Sequence, residues 1–320
     1  MEKLIQPKLV TIFGGSGFIG RHTVSALAKR GYRIRVAVRR PDLAGHLQPL
    51  GNPGQIMAMQ ANLRNRDSID RAVAGADHVV NAVGILAPVG RNTFSAVQEF
   101  GARQVAESVR EHEAGLTHVS AIGADPDSGS DYARTKGLAE RFVHEAVADA
   151  VIVRPSIVFG PEDQFFNKFA DMARHSPFLP LIGGGVTRFQ PVYVGDVAET
   201  IARSVDATIP SARIYELGGP DIMTFKECLE TMLDVIGRKR RFVSIPFSVA
   251  SLMGNIAERI PFLTPPITAD QVLLLKRDNI VSEAAIAEGR TLEGIGIALS
   301  SVATVLPSYL VRFRPQGQFS

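Results

Sequence analysis

A glycine-rich turn between a short apolar strand and an amphipathic helix constrains this chain more than any other feature. Residues 9 to 20 read Leu-Val-Thr-Ile-Phe-Gly-Gly-Ser-Gly-Phe-Ile-Gly. In a dinucleotide-binding unit the first glycine allows the tight turn, the second lets the backbone approach a pyrophosphate, and the third lets the helix pack on the sheet. The helix N-terminus then faces the phosphates. The sequence therefore predicts a dinucleotide contacted by Gly14, Gly15, Ser16, Gly17, Phe18 and Ile19, with Gly20 as the packing glycine.

Strand and helix patterns alternate along the first half of the chain. Strands are predicted at 9–14, 33–38, 55–60, 78–83, 116–121 and 150–154, and helices at 18–30, 67–74, 95–112 and 132–147. This alternation favours an α/β fold, a doubly wound parallel sheet of the Rossmann type. A strand at 191–194 and a helix at 196–205 are expected to return to it. We therefore expect a dinucleotide-binding domain over 1–155, joined by 188–218, and a smaller C-terminal lobe from 156–187 and 219–320.

Composition narrows the class of protein. With 320 residues, 45% of them hydrophobic, the chain can bury a large core. The single cysteine, Cys228, excludes an intramolecular disulfide framework and is expected to be a small buried side chain. Histidines lie scattered without ligand spacing, so no metal site is predicted.

No apolar run reaches the roughly 18 residues that a spanning helix needs. The first strand begins at Leu9, which leaves no room for a signal peptide. We therefore expect either a bacterial protein on the cytoplasmic side or a chain whose leader has been removed.

Positive charge is concentrated towards the C-terminus. The whole chain carries +3, yet residues 238–320 alone hold ten basic and six acidic residues. Arg238-Lys239-Arg240-Arg241 precedes an apolar stretch over 245–256. This pattern predicts contact with a membrane surface or an acidic protein, or else a solvated loop. Nucleic-acid binding is disfavoured because the basic residues lack interleaved aromatic side chains.

The end of the second predicted strand indicates which dinucleotide is preferred. An acidic residue there would bind the ribose 2′-hydroxyl of NAD, but this chain has Arg39 and Arg40. A guanidinium group suits a 2′-phosphate, since its planar fork makes bidentate, charge-assisted hydrogen bonds. The sequence predicts NADP(H), with Arg39 as first choice and Arg40 as second; the alternative is a surface arginine pair.

Further along the chain, three residues are candidates for catalysis. Tyr132 and Lys136 stand four apart on a predicted helix and so share a face. The lysine charge is expected to lower the pKa of the tyrosine towards the range useful for proton transfer. Ser120, at the end of the fifth strand, could orient a substrate carbonyl or hydroxyl.

The GxxGxxG spacing with Ser120, Tyr132 and Lys136 resembles the extended short-chain dehydrogenase/reductase superfamily. The resemblance implies that Lys136 contacts the nicotinamide ribose, so that Tyr132 and Lys136 could serve cofactor binding alone. It further implies cofactor contacts from Asn62 and Leu63 at the adenine, Ala82, Val83 and Gly84 beneath the cofactor, and Pro155, Ser156, Ile157 and Val158 beside the nicotinamide. The alternative is an NADP-dependent oxidoreductase or nucleotide-sugar-type epimerase that uses Tyr132 as acid and base.

Segments in the second half of the chain narrow this resemblance. They are similar to the NADPH-binding accessory subunits of respiratory complex I (NADH:ubiquinone oxidoreductase) and their α-proteobacterial relatives; they are 118–125, 189–196, 268–279, 292–296 and 307–309. Residues 268–279 discriminate best, because generic epimerases lack them. The resemblance implies tightly held NADPH, docking on the peripheral arm near the quinone site, and a structural or assembly role. It implies a peripheral location on the cytoplasmic face of a bacterial inner membrane, or on the matrix face in mitochondria.

Overall fold

The computed structural model describes residues 7–258 and 268–315. Its strands are β1 (Leu9–Phe13), β2 (Arg33–Val38), β3 (Ile56–Gln60), β4 (His78–Asn81), β5 (Gly115–Val119), β6 (Val151–Pro155), β7 (Val158–Phe159), β8 (Phe178–Ile182), β9 (Arg188–Phe189), β10 (Val192–Tyr193), β11 (Ile214–Leu217), β12 (Met223–Thr224) and β13 (Arg241–Ile245). Its α-helices are α1 (Phe18–Lys29), α2 (Arg66–Val73), α3 (Phe100–Glu111), α4 (Asp131–Ala146), α5 (Phe166–His175), α6 (Val194–Val205), α7 (Phe225–Val235), α8 (Phe247–Glu258), α9 (Ala269–Leu274), α10 (Glu283–Ala287) and α11 (Val302–Leu310).

Seven of the described strands form one parallel sheet in the order β11-β6-β5-β4-β1-β2-β3. Phe13, at the end of β1, pairs with Ala37 of β2 on one side and with Asn81 of β4 on the other. The strand order therefore reverses between β1 and β4, where doubly wound sheets bind ligands beyond the carboxyl ends of their strands. The predicted Rossmann-type α/β fold is confirmed.

One predicted strand does not join this sheet. β10, within the expected strand 191–194, pairs with β7 in a separate two-stranded sheet, because Val192 N donates to Ile157 O. The expectation that it returns to the main sheet is wrong. The strand that does so is β11, which follows the hydrogen bond from Ile152 N to Arg213 O.

The chain divides into two compact units. The first contains the described residues up to Asp127, with Arg134–Arg154 and Val197–Tyr215. Within it, Arg30, the C-cap of α1, forms 2.8 Å ion pairs with Glu199 of α6 and with Asp206. These bonds hold the returning helix in the unit, because α6 lies far along the chain from α1.

The second unit contains Ser128–Ala133, Pro155–Asp196 and the described residues from Glu216 onward. Residues 188–196 thus lie here, whereas the sequence placed them with the returning segment. Its core is rich in phenylalanine and includes the fully buried thiol of Cys228. Tyr309 of α11 donates a 2.6 Å hydrogen bond to the buried carboxylate of Asp163 and so ties the last helix to this core.

No helix in the described parts of the chain is both long and apolar enough to cross a bilayer.

Candidate functional site

The glycine-rich turn has the shape that a pyrophosphate requires. Gly14 has φ +77°, and a Cβ there would lie 3.1 Å from the backbone of Ala82. A Cβ on Gly20 would lie 2.1 Å from Gly14 O, so only glycine lets α1 approach the turn. Gly17 is the N-cap of α1 and has no side chain to occupy the helix end. Ser16 and Phe18 flank it, and the first-turn amides of α1 are thus placed to receive an anion.

The two arginines after β2 differ in their contacts. Both are exposed. Arg40 forms a 2.8 Å ion pair with Asp42, whereas Arg39 has no ion-pair partner among the described residues. Arg39 therefore has its full set of N–H donors available for a phosphate, whereas Arg40 already donates to Asp42 through part of its guanidinium group.

The predicted adenine residues are partly committed to the protein. Asn62 Oδ1 accepts a 3.1 Å hydrogen bond from Arg64 N, which leaves its amide hydrogens as the better group for a ligand. Leu63 is 9% exposed. A Cβ placed on Gly101 of α3 would lie 2.9 Å from the Cβ of Leu63. Leu63 therefore packs against α3 and has little exposed surface for a ligand.

The loop after β4 lies beside the site lysine. Ala82 N donates a 3.0 Å hydrogen bond to Phe13 O, which keeps the loop close to β1, and Val83 N donates to Asn81 Oδ1. A Cβ on Gly84 would lie 3.5 Å from Lys136 Nζ. The geometry thus brings this predicted loop and Lys136 together.

Lys136 is a buried cation. It is 4% exposed, and its Nζ donates a 2.9 Å hydrogen bond to Val119 O at the end of β5. Burial lowers the pKa of Lys136 to about 8, and the neighbouring Glu140 carboxylate opposes this by favouring the charged form. An ammonium has three donors, so this one retains capacity for a ligand hydroxyl.

Ser120 is part of a buried ion-pair cluster. Its hydroxyl donates to Glu140 Oε1, and Arg154 donates to both carboxylate oxygens of Glu140 at 2.9 and 2.6 Å. A serine has a single proton to donate. In this arrangement Ser120 cannot donate to a substrate carbonyl, and its hydroxyl supports the packing of α4 on the sheet.

Tyr132 lies half-buried in the first turn of α4, one turn before Lys136. Burial raises the pKa of Tyr132 to about 12, and the Asp270 carboxylate acts in the same direction. The expectation of a lowered tyrosine pKa is therefore wrong. The main reason is the burial of the phenol, and the carboxylate of Asp270, which lies at this helix end, adds to it.

The predicted nicotinamide residues lie at the end of β6 and in β7. Pro155 and Ser156 are buried, and Ile157 and Val158 are half-buried. Ser156 Oγ lies 2.8 Å from both Asn279 O and Asn279 Oδ1. Ser156, within this stretch, is thus already hydrogen-bonded to Asn279.

Several residues of the site carry no sequence signal of their own. Gln98 lies in a π-helical stretch, Ser95–Glu99, where it accepts from Thr135 Oγ1 at 2.9 Å and donates to Ile85 O at 2.8 Å. π-Helical turns are frequent at functional sites. Glu140 and Arg154 likewise give no sign of their ion pair in the sequence, because only the fold brings the two side chains together. Asp270 lies in the segment 268–279 that the resemblance singles out, but its contact with α4 is visible only in the structure.

Among the described residues, no group of three or more His, Cys, Asp or Glu side chains is arranged to hold a metal ion.

Comparisons with known proteins agree with this geometry. The sequence profile of the NAD dependent epimerase/dehydratase family matches residues 10–218. The mitochondrial NADH dehydrogenase (ubiquinone) 1 alpha subcomplex subunit 9 of Arabidopsis thaliana is 36% identical over 289 residues, which cover 87% of this chain and 72% of that protein. Ceramide reductase of Caulobacter vibrioides is 31% identical over 287 residues, covering 88% of each.

The structure of Thermus thermophilus UDP-glucose 4-epimerase in complex with NAD superposes with a TM-score of 0.68. The alignment covers 96% of this chain and 99% of that one at 20% identity, and this likeness establishes the shared fold.

Proposed function

This chain belongs to the NAD dependent epimerase/dehydratase family, and on that premise we propose that it is an accessory subunit of respiratory complex I that holds NADPH as a structural cofactor. The observation that carries the proposal is the similarity to the Arabidopsis complex I subunit, which is 36% identical to this chain against 31% for the Caulobacter reductase. The Arabidopsis similarity spans 289 residues, whereas the family profile covers only 10–218. The sequence likeness therefore extends beyond the residues that the family profile matches. We place its contacts with peripheral-arm subunits near the quinone site.

The preference for NADPH rests on the exposed arginine after β2. Family membership and the glycine cradle support a nicotinamide dinucleotide. Arg39, which has no ion-pair partner among the described residues, supplies the charge that a 2′-phosphate needs. An unpaired guanidinium in that place would gain little from the neutral ribose of NADH.

A structural cofactor, rather than one that turns over, agrees with the state of the three candidate catalytic groups. The Ser120 hydroxyl donates its one hydrogen bond to Glu140. Tyr132, with a pKa of about 12, holds its proton at neutral pH and is a weak acid. Lys136 keeps donors for a ligand hydroxyl. The site is thus better suited to binding than to proton transfer.

The fate of the nucleotide tests this proposal. The complex is purified from native membranes and its nucleotides are extracted and quantified, before and after it oxidises NADH with a quinone acceptor. We expect one NADPH for each copy of this chain, still reduced after many NADH turnovers. Recovery of the oxidised form in proportion to NADH turnover would contradict a structural role.

The second unit also offers a surface for lipid headgroups. Lys239 and Arg241 are exposed beside Phe178, which pairs with Arg241 across β8 and β13 and is 47% exposed. One face of α8 also presents apolar side chains to solvent, namely Val249, Leu252 and Met253, at 46%, 61% and 52% exposure. Basic groups beside exposed apolar ones match an anionic phospholipid surface. We assign this surface to peripheral membrane contact, on the cytoplasmic face in a bacterium or the matrix face in a mitochondrion.

Vesicle binding tests the lipid contact. The chain should sediment with vesicles containing phosphatidylglycerol and not with pure phosphatidylcholine. Reversing two charges in Lys239→Glu with Arg241→Glu should weaken binding about thirtyfold, at about 1 kcal/mol for each basic residue lost. The control Lys226→Glu reverses another exposed lysine and should have a smaller effect. Equal binding to both vesicle types would rule out an anionic lipid partner.

A second candidate function is an NADP-dependent short-chain oxidoreductase that uses Tyr132 and Lys136. The likeness to the Caulobacter ceramide reductase, which covers 88% of both chains, favours it. Its test is NADPH consumption with a carbonyl-bearing ceramide, comparing the wild type with Tyr132→Phe. Turnover that is lost in the variant, while NADPH still binds, would establish the enzyme; no turnover in either leaves the accessory role.

A further inference from the structure

The C-terminal segment 268–279 is fixed to the second unit along its length. Thr268 caps α9 by accepting from Gln271 N. Leu275 O accepts a 2.5 Å hydrogen bond from Thr187 Oγ1, and Asn279 N donates to Arg188 O at 2.8 Å. The segment is therefore a rigid support for whatever its polar side chains contact.

One of those side chains, Asp270, closes the N-terminus of α4. It accepts from Asp131 N at 2.7 Å, from Tyr132 N at 3.2 Å, and from Ser130 Oγ at 3.0 Å. Ser130 Oγ in turn accepts from Ala133 N at 3.3 Å. The amides of residues 131–133, which an isolated helix leaves without acceptors, are thus satisfied by two side chains from different parts of the sequence.

This cap changes the electrostatics at Tyr132. A helix N-terminus carries positive partial charge that stabilises a nearby anion. Here the carboxylate of Asp270 already occupies that position, so a phenolate in the first turn would meet negative charge instead of the open helix end. Burial is the larger cause of the raised pKa of Tyr132, which is about 12, and the Asp270 carboxylate acts in the same direction. Asp270 is the charged group that acts on the phenol, and the charged residues next to Tyr132 along α4 are Asp131, Arg134 and Lys136.

We propose that Asp270 is a positioning residue for Tyr132, which fixes the first turn of α4 and opposes ionisation of the phenol, so that Tyr132 presents a hydrogen-bond donor to bound ligand. This inference rests on the proposed function, in which Tyr132 and Lys136 hold the cofactor. In this role residues 268–279 contribute to the site through Asp270. No proton is transferred in this role, since the phenol O–H stays intact.

The test is a titration of Tyr132 in nucleotide-free protein. All five tyrosines are replaced by 3-fluorotyrosine, whose ring fluorine acidifies the phenol, and the fluorine resonance of Tyr132 is assigned with Tyr132→Phe. In Asp270→Asn, which keeps an acceptor but removes the charge, the ionisation midpoint of Tyr132 should fall by about one pH unit. Asp270→Glu keeps the negative charge and should leave the Tyr132 midpoint at the wild-type value.

Two further variants keep the result decisive. Asp131→Asn removes an exposed charge at the same helix end and should shift the Tyr132 midpoint far less than Asp270→Asn does. Should Asp270→Asn fail to fold, Asp270→Ser keeps a capping oxygen without charge and must show the same fall. An unchanged midpoint, or equal shifts for Asp131→Asn and Asp270→Asn, would overturn the proposal. Because no nucleotide or partner is present, either result leaves the complex I assignment to be judged separately.

Discussion

Removing the buried ammonium of Lys136 should abolish a rise in stability that we expect of the nucleotide-free protein at alkaline pH. Lys136 is 4% exposed and is held by a single neutral acceptor, Val119 O, together with the charge of Glu140. Burial lowers its pKa from 10.5 to about 8 in the folded protein. In the unfolded chain the ordinary value returns.

The sign follows from where the proton is bound. Between pH 8 and 10.5 the unfolded chain keeps the lysine proton that the folded protein has released, so the free energy of unfolding rises with pH. Below pH 8 both states are protonated, and the folded state bears a constant cost for the buried charge. The full difference corresponds to about 3 kcal/mol, and the part that falls between about pH 7.5 and pH 9.5 to about 2 kcal/mol.

Urea unfolding at those two pH values measures this change. The wild type should gain about 2 kcal/mol more than Lys136→Met, whose apolar side chain has no proton to lose. Lys226→Met, which removes a lysine that is 51% exposed, should keep the wild-type gain. If Lys136→Met gained as much as the wild type, the buried ammonium would not be the cause and the reasoning would be refuted.

Three other changes test the cofactor cradle and the core. Arg39→Glu should weaken NADPH binding at least tenfold and NADH binding much less, whereas Arg40→Glu should matter less; fluorescence titration of both nucleotides decides, and parallel losses would contradict the assignment. Tyr309→Phe should cost about 2 kcal/mol of unfolding free energy, because the buried Asp163 carboxylate loses its hydroxyl donor; an unchanged melting temperature would contradict this. Gly20→Ala should abolish nucleotide binding, since its Cβ would meet the turn at 2.1 Å.

The sequence predicted the features that depend on neighbouring residues. The glycine turn is local, since its requirements are set by close contacts within β1, α1 and the loop after β4. The parallel sheet follows from the alternation of apolar strands and amphipathic helices, each of which carries its own pattern. These are the features for which spacing along the chain determines spacing in the fold.

The features that the sequence could not predict depend on distant partners. Nothing near Ser120 indicates that Glu140, twenty residues on, accepts the hydrogen bond of its hydroxyl. The raised pKa of Tyr132 comes first from its burial and then from the carboxylate of Asp270, more than a hundred residues away. The strands β10 and β11 are both short, and pairing, rather than composition, decides which one enters the main sheet.

Association in the native membrane tests the central claim most directly. The tagged chain is purified in mild detergent at its natural level of expression, and every protein that accompanies it is quantified by mass spectrometry. The account predicts the subunits of NADH:ubiquinone oxidoreductase in equal amounts with this chain. Recovery of the chain alone from the soluble fraction would contradict it and would direct attention to a substrate for Tyr132.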